Sequence, residues 1–260
     1  MVLEEQMIDL YANISMAHEN DFEVIKKRII AAAQCNADAV IISKATPKLS
    51  IPKNKQYISI ESKWGHLPYI EVAKKSEIDD INVRKITDLT NQIGIPLIWS
   101  VTDTEAAVWV KEHSNSTKIK IHFEGSKNKE LVRFVCENWT EVILCNTNYD
   151  YTKELIEKYF KPTIRQNDLS LYHTKTKFPC QIEELDLSNL DKMRKDFKDC
   201  NIGYEGRTAD IYPDCAVALK DVDFIEKYLG DDDTPEGPVL TPKRFYDFFI
   251  NLNQLEVANG

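Results

Sequence analysis

Asn201-Ile-Gly-Tyr-Glu-Gly-Arg-Thr208 opens with a strand-like stretch, Asn201–Glu205, that ends at Gly206, and stretches of this kind decide the fold. Asn201–Glu205 reads as a buried strand, and the amphipathic stretch Ile211–Leu219 behind it reads as a helix. The same pairing recurs in both directions along the chain. Strands are expected at Met7–Ile14, Ala39–Ser43, Pro96–Val101, Lys118–Phe123, Glu141–Cys145, Leu169–His173 and Phe224–Leu229. Helices are expected at Asp21–Cys35, Asp79–Ile93, Thr104–Ser114, Lys127–Glu137, Tyr151–Phe160, Leu187–Asp199 and Thr241–Leu255. Eight strands alternating with eight helices is the count of a closed α/β barrel of the (β/α)8 TIM type, expected as a single domain over residues 1–260. An open doubly wound sheet is the other candidate, but no G-x-G-x-x-G follows the first strand.

Bulk properties narrow the function. The net charge of −9 argues against a phosphate-backbone surface, so no nucleic-acid partner is expected. No apolar run is long enough to cross a bilayer, and the N-terminus lacks a basic-then-apolar leader pattern, so no membrane association is expected. Six scattered cysteines without a C-x-x-C pair fit a reduced, cytoplasmic protein. The segment from Ala45 to Ile78 is too long for a turn and carries Lys48, Lys53, Lys55 and Trp64-Gly65. Loops of that length cover a site or meet a partner.

The segment 201–208 also resembles the Gly-Tyr-Ser-(Asp/Gly)-His turn of the sialic acid synthase (N-acetylneuraminate synthase) family. Further matches keep the same order: Ala37-Asp38-Ala39-Val40, Ser62-Lys63-Trp64-Gly65-His66 with Tyr69 and Glu71, Ile93-Gly94-Ile95-Pro96, Lys120-Ile121, Ile225-Glu226-Lys227, Gly237-Pro238 and Leu240-Thr241-Pro242. The resemblance implies a TIM barrel whose relatives condense phosphoenolpyruvate with an N-acylmannosamine in carbohydrate biosynthesis. It also implies that the antifreeze-like domain those relatives carry after the barrel is missing, because the sequence read here stops at Gly260.

At the chemical positions this chain departs from the family. The family's two metal-binding histidines align with Arg207 and Tyr228, and a guanidinium has no lone pair to offer a metal. The active-site glutamate of the first strand aligns with Asn13, the phosphate lysine of the second with Ile41, and the late aspartate with Val239. The family's Ser-Thr-Gly-Met phosphate turn reads Cys145-Asn146-Thr147-Asn148, and its Asn-His pair reads Ala17-His18. Retained candidates for holding an anion are Lys120, His173 and Arg207, with Lys44 either reaching the same space or lying on the surface. Lys120, His122 and Glu124 share strand parity, which leaves Lys120 as a ligand group or as half of an interior Lys–Glu pair. Asp231-Asp232-Asp233 reads either as a solvated acidic loop or as a cation site.

Two functions are therefore expected to compete. In the first, the barrel has lost catalysis, is a pseudoenzyme without metal or other cofactor, and binds a protein partner through the basic 45–78 segment. In the second, it is a metal-independent synthase-like or aldolase-like enzyme that holds a small anionic sugar, a phosphoenolpyruvate-like ligand or a keto acid on Lys120, His173, Arg207 and Lys44.

Overall fold

In the computed structural model of the chain, which describes residues 8–14, 18–146, 148–160, 168–231 and 238–259, the alternation closes into a barrel. The strands are β1 (Asp9–Asn13), β2 (Ala39–Lys44), β3 (Leu97–Val101), β4 (Lys118–Ile121), β5 (Glu141–Asn146), β6 (Leu169–His173), β7 (Asn201–Glu205) and β8 (Phe224–Leu229). Each pairs in parallel with the next, and β1 returns to β8 with Asn13 opposite Tyr228. The main crossover helices are α1 (Phe22–Gln34), α2 (Asp80–Ile93), α3 (Thr104–His113), α4 (Lys129–Asn138), α5 (Tyr149–Leu155), α6 (Ser188–Asp196), α7 (Tyr212–Ala218) and α8 (Pro242–Asn259). A π-helical turn, Ile156–Phe160, prolongs α5. A short further strand, Val239–Leu240, pairs with β8.

Local chemistry sets the helix starts. Asp21, Asp79, Asp103 and Asn128 each accept hydrogen bonds from the backbone N–H groups of the first turn, which lack intrahelical partners. The strand period of two then sorts side chains into two cores. Leu10, Ala12, Trp99, Ile119, Ile121, Leu144 and Leu171 belong to the layer under the helices. Tyr11, Ile41, Ile98, Ile143, Cys145, Tyr172 and Phe224 form the barrel interior. Gly203 explains how the interior closes: a Cβ there would lie 1.9 Å from the Phe224 ring, which stacks on Tyr11 with centroids 5.4 Å apart. All six cysteines are free.

The 45–78 segment differs from a simple loop. It contains a helical turn (Pro47–Ser50), a hairpin (Ser59–Ile60 with Leu67–Pro68) and a helix (Tyr69–Ser76). Ile51, Ile70 and Val72 within it are buried. Lys44 anchors it by donating to Glu77 and to the Ile78 carbonyl, and Thr46 binds the Asp103 carboxylate through both N–H and Oγ1. The hydrophobic spacing in this segment was too short and broken to show these elements.

Gly203→Ala is expected to lower stability by about 1–3 kcal/mol, because the added methyl must displace an interior aromatic ring. Urea denaturation checks this, and Phe224→Leu in the same chain should return part of the loss.

Candidate functional site at the barrel mouth

Three strands bring the reactive-looking groups together, because alternate residues of β4, β7 and β8 point inward. Lys120 from β4 donates to both Glu226 oxygens at 2.8 Å and lies 3.4 Å from Glu205 Oε2. Glu205 from β7 accepts from Arg207 Nε at 2.9 Å and from the Tyr228 hydroxyl at 2.7 Å. Arg207 further donates to Tyr228 Oη at 3.1 Å, to His122 Nε2 at 3.3 Å and to the Thr176 carbonyl at 3.2 Å. Asn13 donates to Glu226 Oε1 at 2.7 Å. Lys120, Glu205 and Glu226 are sealed from solvent. The Phe123 and Phe178 rings flank the guanidinium, with centroids 4.9 and 5.7 Å away, and Phe178 packs edge-on against Tyr228.

The charges of this network balance internally. Burial opposes a charged Glu205, but Lys120 and Arg207 overcome it and hold its carboxyl well below the usual range. Burial and the neighbouring Glu205 charge push Glu226 up. Burial alone would lower the Lys120 pKa, yet the acidic groups around it, Cys145, Glu205 and Glu226, raise it above its ordinary value. Burial, helped by Lys120 and Arg207, pushes His122 down to about 3, so at neutral pH it is an uncharged acceptor for Arg207. With Glu226 ionised, the two cations and two carboxylates sum to zero.

The sequence candidates separate in space. Lys120 and Arg207 meet through Glu205. His173 lies on the outward face of β6, where Nε2 contacts the Leu185 carbonyl at 2.8 Å. Lys44 is also outward; it is buried over the Trp109 ring, so it is neither a surface lysine nor part of the mouth. Glu124 does not pair with Lys120. β4 ends at Ile121, so strand parity stops short of Glu124, which lies half-exposed 3.7 Å from His122 Nδ1. Asp231 is not a solvated acid, since it pairs with Lys27 at 2.9 Å and Arg28 at 3.1 Å. Ala17, Thr147, Asp232, Asp233 and Gly237 lie outside the described residues. Two groups went unrecognised in the sequence, Glu205 and Glu226. The signal was available: each shares inward parity with a neighbour two residues along, Gly203 or Tyr228.

The positions that align with the family's metal ligands do converge, with Arg207 and Tyr228 in direct contact. Their donor set does not suit a metal, because a guanidinium repels a cation and the phenol already donates to Glu205. Among the described residues, no group of three or more His, Cys, Asp or Glu side chains is arranged to hold a metal ion. A cavity of about 400 Å³ opens at the strands' N-terminal ends beside Asp9, Asp38, Lys118 and Glu141. It lies at the end of the barrel that carries stability rather than chemistry in this fold.

The NeuB family model matches residues 28–260. The chain belongs to the NeuB family. Among curated relatives, the N,N'-diacetyllegionaminic acid synthase of Campylobacter jejuni is 21% identical, over 96% of this chain and 77% of that protein. The human N-acetylneuraminate-9-phosphate synthase is 23% identical, over 96% of this chain and 71% of that protein. In fold, the chain is similar to the sialic acid synthetase of Leptospira borgpetersenii crystallised with citrate, with a TM-score of 0.86 at 15% identity, covering all of this chain (100%) and 90% of that one. The NeuB assignment and the barrel agree with the resemblance read from residues 201–208. Among the described residues, no helix is long and apolar enough to cross a membrane.

Glu205→Gln is expected to cost about 3–5 kcal/mol, because Lys120 and Arg207 would keep buried charges without their shared partner. The pH dependence has a definite sign. A carboxyl lowered in the folded state contributes its full stability above the ordinary value of 4.5 and loses it as pH falls below that value. Denaturant titrations of both proteins should therefore diverge at neutral pH and converge under acid conditions.

Proposed function

We propose that this NeuB-family barrel has lost the family's condensation chemistry and serves as a binding or structural module. The observation that carries the proposal is the Glu205 bridge, which ties Lys120, Arg207 and Tyr228 together. In a phosphoenolpyruvate-using barrel, cations at the mouth must be free to meet phosphate and developing negative charge. Here Lys120 spends its donors on two carboxylates. Arg207 spends its own on Glu205, Tyr228, His122 and a carbonyl, beneath two phenyl rings.

The substitutions compensate one another, which favours loss of chemistry over a misaligned but intact site. Glu205 stands where the family motif has serine, and its charge balances Arg207 at an aligned metal-ligand position. Asn13 stands where the family has glutamate, and its amide donates to Glu226, which a second carboxylate would repel. Ile41, at the phosphate-lysine position, is packed into the apolar interior. Schiff-base chemistry at Lys120 is disfavoured as well, since an ammonium held by carboxylates offers no lone pair to a carbonyl. The neighbouring Leptospira protein was crystallised with citrate, and a small anion remains the ligand class for any residual binding here.

The test is a phosphate-release assay with phosphoenolpyruvate and either N-acetylmannosamine or its 6-phosphate, with and without manganese. No turnover is expected from the purified chain. The double variant Arg207→His/Tyr228→His should gain manganese affinity at most, because Asn13 and Ile41 still leave the reacting carbons and the phosphate unsupported. Phosphate release that needs both substrates and disappears in Lys120→Ala would defeat the proposal.

A further inference from the structure

The excursion between β2 and α2 leaves large apolar side chains outside while others in it are buried. Leu49, Tyr57 and Ile58 are 57%, 78% and 54% exposed, while Ile51, Gln56 and Ile70 from the same segment are buried. Hydrogen bonds join the segments that carry these three groups. The Gln56 amide donates to the Lys48 carbonyl at 3.2 Å and to the Ile51 carbonyl at 2.9 Å, which fastens the helical turn to residues 56–58. The Ile58 carbonyl in turn accepts from Tyr69 N at 2.9 Å, and the Gln56 carbonyl from Ile70 N at 3.0 Å. Lys48, Lys53 and Lys55, all exposed, neighbour these residues in the chain. Residues 45–78 hold six lysines against three glutamates in a chain whose net charge is −9, so the segment opposes the sign of the molecule that carries it.

We infer that this face is a docking surface for an acidic protein surface with an apolar centre. Exposed apolar side chains with lysines beside them in the chain gain from apolar burial and from opposite charge on a partner. A two-fold contact between copies of this chain would set lysines against lysines, and like-charge contact works against that pairing. The inference rests on reading the barrel as a binding module, but the two stand apart experimentally. Turnover in the phosphate-release assay would remove that reading without touching this face, and failure of docking would leave the inactive mouth unchanged.

A short synthetic peptide that alternates Asp or Glu with Leu and Trp serves as the probe, measured by fluorescence anisotropy against the full chain. Binding is expected at low salt. It should weaken by about tenfold or more in Lys53→Glu/Lys55→Glu and in Tyr57→Ser/Ile58→Ser, and again as salt shortens the screening length to about 3 Å near 1 M. All four side chains are exposed, so thermal melts of the variants should match the parent and separate lost docking from lost folding. No binding, binding that both variants leave intact, or equal binding of the peptide with Lys in place of its acids overturns the inference. Concentration-dependent association in sedimentation, abolished by Ile58→Asp, also overturns it and assigns the face to a second copy of the chain.

Discussion

Glu205 holds the inside of this barrel together. A closed parallel barrel has no solvent to screen charges that strand parity turns inward, and β4, β7 and β8 turn Lys120, Glu205 and Glu226 inward. Unpaired, each of these would cost several kcal/mol of desolvation. Glu205 touches Lys120 on one side and Arg207 and Tyr228 on the other, so the buried charges resolve as one set. Arg207, held by Glu205, also donates to the neutral His122 ring and lies beside the Phe123 and Phe178 rings.

On the function proposed above, a binding site has been exchanged for structure while the fold is kept. Lys120 persists where the resemblance places an anion-binding lysine, and here it donates to Glu226 of the matched Ile-Glu-Lys run. A serine-to-glutamate change in the seventh-strand turn and a histidine-to-arginine change two residues later add one charge of each sign. Arg207 without Glu205 would lose its carboxylate partner; together they form a 2.9 Å hydrogen-bonded pair. The function proposed above thus follows from satisfied hydrogen bonds, and not from a missing residue taken singly.

The surface tells the complementary story. The mouth residues Lys120, Arg207 and Tyr228 are tied together inside, while the β2–α2 excursion has two anchors to the barrel and exposes Leu49, Tyr57 and Ile58. An excursion that served only to shield a catalytic centre would gain by turning Tyr57 and Ile58 inward.

The barrel was legible in the residues themselves. Eight apolar runs separated by amphipathic stretches admit few parallel topologies, and six of the eight strands began at the expected residue; only β1 and β3 started later, and helix ends shifted by a few positions. The family was legible as well, since Gly203-Tyr204, Lys120-Ile121 and Ile225-Glu226-Lys227 keep their order. The partners were not legible. Lys120 meets Glu226 across 106 positions of chain, and no local pattern reports a contact made only when β4 and β8 face each other across a closed barrel. Parity failed at Glu124 because a strand's end is set by its ladder neighbours, and it failed to exclude His173 and Lys44 because both faces of every barrel strand are buried. Sequence determined which elements form and which chemical groups are present, through periodicity and residue type. Only the closed tertiary structure decided which charges would find each other, because that depends on distances across the barrel that the chain sets when β1 pairs with β8.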